Sequence, residues 1–341
     1  MLSKLYNFFT KDIAIDLGTA NTLVYIKDEG IIINEPSIVA ISKEDRNSIC
    51  FGYEAKEMLG KNPESVEVIQ PMQDGVIADF RISELMLRHL IKRANKKNFI
   101  LKPKVIVCVP SSITEVEKRA VKDSVLNAGA REVYLISEPI AAAIGADMPI
   151  KVPQGNLIID IGGGTSEIAI LSLSNIVAHN SIRIGGDKMN YDIINFMRQE
   201  KKIFIGEQTS EDIKKSVGSA AKLDNELTMK VRGRDIISGL PISIDISSVE
   251  IRDALNDTIL KIVQAIINLF EKIPPELTAD IASNGVFITG GGALLRNMDK
   301  RISNRINLPV HLVPDPLTCV VRGTGIVLDN IKYYSELLIK D

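Results

Sequence analysis

Two stretches of this sequence end an apolar, β-branched run in an aspartate, then place glycine and a hydroxyl after it. They are Ile13-Ala-Ile-Asp16-Leu-Gly18-Thr19 and Leu157-Ile-Ile-Asp160-Ile-Gly162-Gly163-Gly164-Thr165. Glycine lets a turn adopt positive φ and come close to a ligand, and consecutive backbone N–H groups form an anion-binding nest. An aspartate beside such a turn suits Mg²⁺ held mainly through water. That ion keeps several waters and takes one or two carboxylates besides phosphate oxygens. Each motif alone reads equally as an ordinary hairpin with a turn-forming aspartate. Finding the pattern in both halves of the chain favours a duplicated domain with a phosphate ligand between the copies.

After Gly164 the residues Thr165-Ser-Glu-Ile-Ala-Ile-Leu171 are expected to run on as a strand. The glycine run therefore predicts strand–turn–strand, not the strand-to-helix turn of a dinucleotide fingerprint. No GxxxxGK[ST] occurs, which excludes a P-loop. A third run, Thr289-Gly290-Gly291-Gly292-Ala293, is expected to join a strand over 286–289 to a helix over 293–304, whose N-terminus could hold a polar ligand. Glu138 lies between a strand over 132–136 and a helix opening at Pro139. Its carboxylate reads either as a general base or water-orienting group for in-line phosphoryl transfer, or as a helix-capping acid.

The elements that must position these residues alternate between strand and helix patterns throughout, which predicts an α/β architecture. In the first half, strands are expected over 11–17, 22–27, within 31–42, and over 104–109 and 132–136. Helices are expected near 54–59, over 83–97 and 114–127, and from 139. The second half restarts with strands over 157–160 and 167–171, then helices over 187–199, 210–222 and 248–273 around a strand-rich stretch at 227–246. It closes with strands over 286–289 and 310–313 and a last helical segment.

Composition sets the limits. The chain has 341 residues, 45% of them hydrophobic and 25% charged, ordinary for about two globular domains. Forty-one basic against 43 acidic residues leave no excess to neutralise a run of phosphates, so nucleic acid is not an expected partner. Cys50, Cys108 and Cys319 are dispersed and odd in number, which fits a reducing cytosol. Residues 1–4 lack a signal-peptide pattern. His89, His179 and His311 show no metal spacing, and no GxSxG elbow occurs.

Asp16-Leu-Gly-Thr-Ala-Asn-Thr22, Glu138-Pro139, Asp160-Ile-Gly-Gly-Gly-Thr-Ser166 and Thr289-Gly-Gly-Gly-Ala293 together resemble the nucleotide site of the actin, chaperone and sugar-kinase superfamily. Arg183-Ile-Gly-Gly-Asp187, Ile205-Gly-Glu207, Ser238-Gly-Leu-Pro241 and Pro274-Pro-Glu-Leu277 narrow the resemblance to the MreB family of bacterial actins over about residues 10–330.

That resemblance implies a duplicated ribonuclease-H-like, actin-like α/β fold with two lobes of two subdomains each around a nucleotide cleft. Lobe I would span 1–144, with a small subdomain at about 33–66. Lobe II would span 145–319, with one at about 182–245, and residues 320–341 would return to lobe I. It implies ATP or ADP with Mg²⁺ as cofactors. Gly18, Thr19, Ala20 and Asn21 would meet the phosphates from one lobe, and Gly162, Gly163, Gly164 and Thr165 from the other. Asp16 and Asp160 would face the metal. Glu211 and Lys214, i and i+3 on one helix face, would flank adenine and ribose, and Gly290 to Ala293 would close the nucleoside side. Glu138 and Thr165 would orient the attacking water. Ser166, Lys188 and Asn190 depart mildly from the family's residues.

The implied function is a slow ATPase that polymerises with itself into filaments on the inner face of the cytoplasmic membrane. Such filaments control cell shape, or motility in a wall-less cell. Two segments could touch lipid. In the first, Leu2, Leu5, Tyr6, Phe8 and Phe9 gather on one helical face beside Lys4 and Lys11. In the second, Phe99, Ile100 and Leu101 interrupt a basic stretch at the position of the family's membrane-inserting loop. A small-molecule kinase of the same superfamily is the alternative, and it would need an acceptor pocket. A chaperone ATPase would continue into a substrate-binding region.

Overall fold

The computed structural model describes residues 11–95 and 102–339. Strands β1 (Ile13–Leu17), β2 (Asn21–Ile26) and β3 (Gly30–Pro36) form an antiparallel meander. Next, β4 (Val39–Ser42), β5 (Ser48–Phe51) and β6 (Val66–Ile69) make a small separate sheet carrying helix α1 (Gly52–Met58). A short hairpin, β7 (Met72–Gln73) and β8 (Val76–Ile77), leads into α2 (Phe80–Ala94). Asp79 caps α2 by accepting from Ile82 N, and Ile82, Met86, Leu87, Leu90 and Ile91 give it one buried stripe. Then β9 (Lys104–Val109) runs parallel to β1. Helix α3 (Glu115–Asn127), closed by a Thr114–Glu117 capping box, leads to β10 (Glu132–Ser137) and α4 (Glu138–Gly145).

The second half repeats this plan. Antiparallel β11 (Asn156–Ile161), β12 (Ser166–Ser172) and β13 (Asn175–Ile182) precede α5 (Gly186–Gln199), β14 (Ile203–Phe204) and α6 (Glu207–Val217). A second small sheet adds β15 (Thr228–Asp235) and β16 (Pro241–Ser247) to β14. Helices α7 (Ser248–Phe270) and α8 (Pro275–Asn284) return the chain to β17 (Val286–Thr289). Helix α9 (Met298–Ile306), β18 (Val310–Leu312) and α10 (Cys319–Asp329) follow, and β19 (Leu338–Ile339) ends the order. Strand order β3-β2-β1-β9-β10 in the first sheet matches β13-β12-β11-β17-β18 in the second. The duplication expected from the two aspartate motifs is thus a duplicated topology, and β19 pairs with β10 to bring the chain's end back to the first sheet.

Helices α4 and α10 lie between the two sheets. They share one core with Ala14, Ile106 and Ile136 of the first sheet and Ile158, Ala169 and Leu171 of the second. Their backbones touch: a Cβ on Gly323 would stand 1.8 Å from Ala141 O, and one on Gly145 would stand 2.0 Å from Cys319 O. Only glycine allows this crossing, which holds the ends of β1 and β11 side by side. No helix among the described residues is long and apolar enough to cross a membrane.

Two expectations change, and one strand was unread. The helix expected over 293–304 begins at Met298, and the glycine run before it forms a short 3-10 turn, Gly291–Leu294. The helix expected over 210–222 is Glu207–Val217, ended by Gly218, whose N–H bonds Lys214 O. Strand β13 had no reading in the sequence. The turn before it is made by Leu173 and Ser174 at φ 50° and 65°, conformations ordinarily left to glycine or asparagine.

Candidate functional site

Both aspartate motifs fold as antiparallel hairpins. Leu17 pairs with Thr22 across the first, and Gly162 N donates to Thr165 O (2.8 Å) across the second. The two turns meet face to face. A Cβ on Gly163 would lie 2.7 Å from Ala20 Cβ, and one on Gly164 would lie 2.7 Å from Thr19 Oγ1. Each turn is braced from behind. Ser37 Oγ donates to Gly18 O (2.6 Å) and shares a 2.8 Å hydrogen bond with Thr22, while Asn21 Nδ2 donates to Asn34 Oδ1. On the other side the first N–H groups of α5 hold the glycine hairpin, Gly186 N to Gly162 O (3.0 Å) and Asp187 N to Gly163 O (2.9 Å). The Arg183-Ile-Gly-Gly-Asp187 motif therefore clamps the hairpin carbonyls of Gly162 and Gly163.

Three carboxylates converge on the floor beneath the turns. Asp16 stands beside Cys108 in the β1–β9 register, and Asp160 stands beside Thr289 in the equivalent β11–β17 register. Glu138 is the first residue of α4, one position earlier than Pro139 had been expected to start it. Asp16 and Glu138 keep some surface toward the cleft while lying deep among protein atoms. Burial raises the carboxyl of Asp16 to about 6. Burial, then the charges of Asp16 and Glu167, raise Asp160 to about 7. Glu138 is pushed well above the carboxylate range by burial and by Glu167, Asp16 and Asp160. Among the described residues no lysine or arginine ion-pairs with these three acids. Among the described residues no group of three or more His, Cys, Asp or Glu side chains is placed to ligate a metal directly, so a hard cation beside these carboxylates would be held mainly through water.

Other expected residues are distributed around this floor. Thr165 is buried at the second turn. Gly290, at φ 82°, ends β17 against Asp160. Gly291 is exposed, whereas Gly292 and Ala293 pack against Ile161 and the adjoining core. Because α9 starts only at Met298, the 3-10 turn offers backbone N–H groups without the helix N-terminus expected there. Glu211 and Lys214 share α6. Lys214 Nζ donates to Gly186 O (2.9 Å), and Glu211 accepts from Lys56 (2.9 Å) and Lys215 (2.7 Å). Leu2, Leu5, Phe8, Phe9, Phe99, Ile100 and Leu101 lie outside the described residues.

Three contributors were not foreseen. The β7–β8 turn, Asp74-Gly75 with φ 51° and 78°, packs on the site, where Gly75 N donates to Thr19 Oγ1 (2.9 Å). An Asp-Gly pair between apolar residues is a recognised hairpin signal. Glu167, opposite Asp160 on β12, is buried and accepts from Ser111 N (3.1 Å) and from the hydroxyls of Ser111 and Ser181. Its signal was an acid inside an otherwise apolar strand. Lys56 carried no signal in the sequence.

The fold agrees with what the chain is similar to. The family model described as MreB/Mbl protein matches residues 10–336. Cell shape-determining protein MreB of Escherichia coli (strain K12) is 47% identical over 346 residues, covering all of both chains. Cell shape-determining protein Mbl of Bacillus subtilis (strain 168) is 45% identical, over 95% of this chain and 97% of that protein. Among solved structures, MreB5 of Spiroplasma citri bound to ADP superposes with a TM-score of 0.91 at 41% identity, over 96% of this chain and 98% of that one. The MamK double helical filament, at 19% identity and TM-score 0.80, shares the actin-like fold. Matched along nearly its whole length in sequence and in fold, this chain belongs to the MreB/Mbl family.

Proposed function

We propose that this protein binds ATP with Mg²⁺ between the two hairpin turns, hydrolyses it slowly, and polymerises into filaments on the inner face of the cytoplasmic membrane. These filaments would control cell shape, or motility in a wall-less cell. The observation that carries the reading is the face-to-face meeting of the Thr19-Ala20 and Gly163-Gly164 turns above Asp16, Asp160 and Glu138. Backbone N–H groups of both turns cradle phosphates. Asp16 and Asp160 would hold Mg²⁺, mainly through water, where the ion would supply positive charge beside the phosphates. Glu138, with Thr165, orients the attacking water, and the Glu138 carboxylate accepts its proton. Glu211, Lys214 and the Gly290–Ala293 turn border the nucleoside.

The names of the relatives support this reading: two cell shape-determining proteins, and an MreB5 seen with ADP and, in a second structure at 42% identity, with AMPPNP. Pelleting and electron microscopy across nucleotide states, with and without lipid vesicles, test it. Polymer that depends on nucleotide is expected, and no polymer in any state would refute it. Phosphate release without an added acceptor separates it from a small-molecule kinase.

A further inference from the structure

The two lobes meet at the cleft floor through the turns, through Ser111 and Glu167, and through the helix pair α4 and α10. At the mouth the contact is different. Lys56 on α1, carried by the small sheet of the first lobe, reaches Glu211 on α6 of the second lobe at 2.9 Å. Among the described residues two ion pairs join the lobes: Arg322 of α10 stands 3.9 Å from Asp315, and Lys56–Glu211 is the one that ties α1 to α6. Apart from this bridge α1 and α6 share little packing. Both side chains are largely covered, 33% and 25% exposed, so the pair is screened less than a surface bridge. Glu211 is also held by Lys215 from its own helix, at 2.7 Å.

We infer that Lys56 is a latch across the mouth of the nucleotide cleft, which positions Glu211 and limits how fast nucleotide enters and leaves. This rests on the reading of the cleft as a nucleotide site. The covalent and packed connections between lobes lie at the floor, so opening separates the mouth first. A bond placed there resists opening with the longest lever. Lys215 continues to neutralise Glu211 when Lys56 is removed, so no carboxylate is left buried and unpaired, and the variants fold.

Two measurements test the latch. The first needs no nucleotide. Spin labels at Glu57→Cys and Asp212→Cys, in a Cys50→Ser background, report the mouth width. Lys56→Met is expected to shift the distance distribution outward, and Lys56→Arg to leave it in place. The second is release and uptake of a fluorescent ADP analogue by stopped flow. Lys56→Met should speed both by about two- to fivefold, as loss of a partly exposed pair allows. Lys56→Arg should restore the wild-type rates. Raising ionic strength to about 0.5 M should accelerate the wild type and not Lys56→Met. A faster release with unchanged uptake and unchanged distance would make Lys56 a ligand contact and overturn the latch. Unchanged rates and distances in a protein that binds nucleotide would overturn it too. A wild type that binds no nucleotide would instead remove the functional reading on which it rests.

Discussion

Gly290 leaves open the space that the carboxylate of Asp160 occupies: a Cβ there would stand 2.2 Å from Asp160 Oδ1 and 2.4 Å from Ile161 O. Its φ of 82° is also one that side-chain-bearing residues rarely adopt. The third glycine run thus shapes the acidic floor as well as bordering the cleft. Gly290→Ala is expected to lower unfolding free energy by roughly 1–3 kcal/mol and to shrink the stabilisation that Mg-ATP confers. Gly291→Ala, whose added Cβ would meet only a Leu317 side-chain atom at 3.3 Å, should unfold like the wild type. Denaturant melts with and without Mg-ATP measure both.

Glu138, the proposed base, sits among other acids, and burial and their charges raise its carboxyl. Glu138→Gln keeps the shape and removes the proposed base. Nucleotide affinity should change little, while single-turnover phosphate release falls by about 10²–10⁴. Equal hydrolysis by the variant would assign the base elsewhere.

The raised carboxyls make the nucleotide-free chain sensitive to pH in a direction opposite to the usual one. Asp16 and Asp160 move from 3.8 in the unfolded chain to about 6 and about 7 in the folded one, so the folded state holds the extra protons between these values. Stability from these groups is therefore complete below about pH 4 and is lost as pH rises toward about 7. Glu211 is raised by burial but brought down to about 2 by hydrogen bonds from Lys215 and Lys56. Its contribution is instead lost as pH falls below its unfolded value of 4.5. Chemical denaturation without nucleotide should thus show the contribution of these three groups greatest near about pH 4 and falling by roughly 4 kcal/mol between about pH 5 and pH 8. Asp160→Asn should flatten the decline, and saturating Mg-ATP should remove it.

Membrane attachment is expected from Phe99, Ile100 and Leu101 and from the Leu2, Leu5, Phe8 and Phe9 face. Each large apolar side chain that enters lipid contributes about 1.5–3 kcal/mol, and a filament multiplies weak single contacts by avidity. Phe99→Ser with Ile100→Ser should reduce co-sedimentation with anionic vesicles several-fold while leaving pelleting without lipid intact. Removing residues 1–9 tests the other segment in the same assay.

Local order was legible wherever sequence chemistry and backbone geometry agree. The two aspartate-glycine hairpins follow from residue types at fixed spacing, and the structure shows both. Strand β13 was not legible, because Leu173 and Ser174 make its turn at positive φ and only packing stabilises that choice. The start of α9 was misplaced because Asn297, in the left-handed region, delays the helix until after the 3-10 turn.

The Asp16 and Asp160 motifs, read from the sequence alone, already implied two copies of one phosphate-binding turn. What brought Gly163 against Ala20, placed Glu138 and Glu167 beside the aspartates, and put Lys56 within reach of Glu211 was tertiary structure. Those partners are separated by up to 155 residues, and no periodicity relates them. They converge because α4 and α10 cross in backbone contact at Gly145 and Gly323 and bind one face of each sheet, which fixes the two strand ends at the same depth. The raised carboxyls follow from that convergence, since desolvation and like-charge repulsion act through space and leave no trace in spacing along the chain.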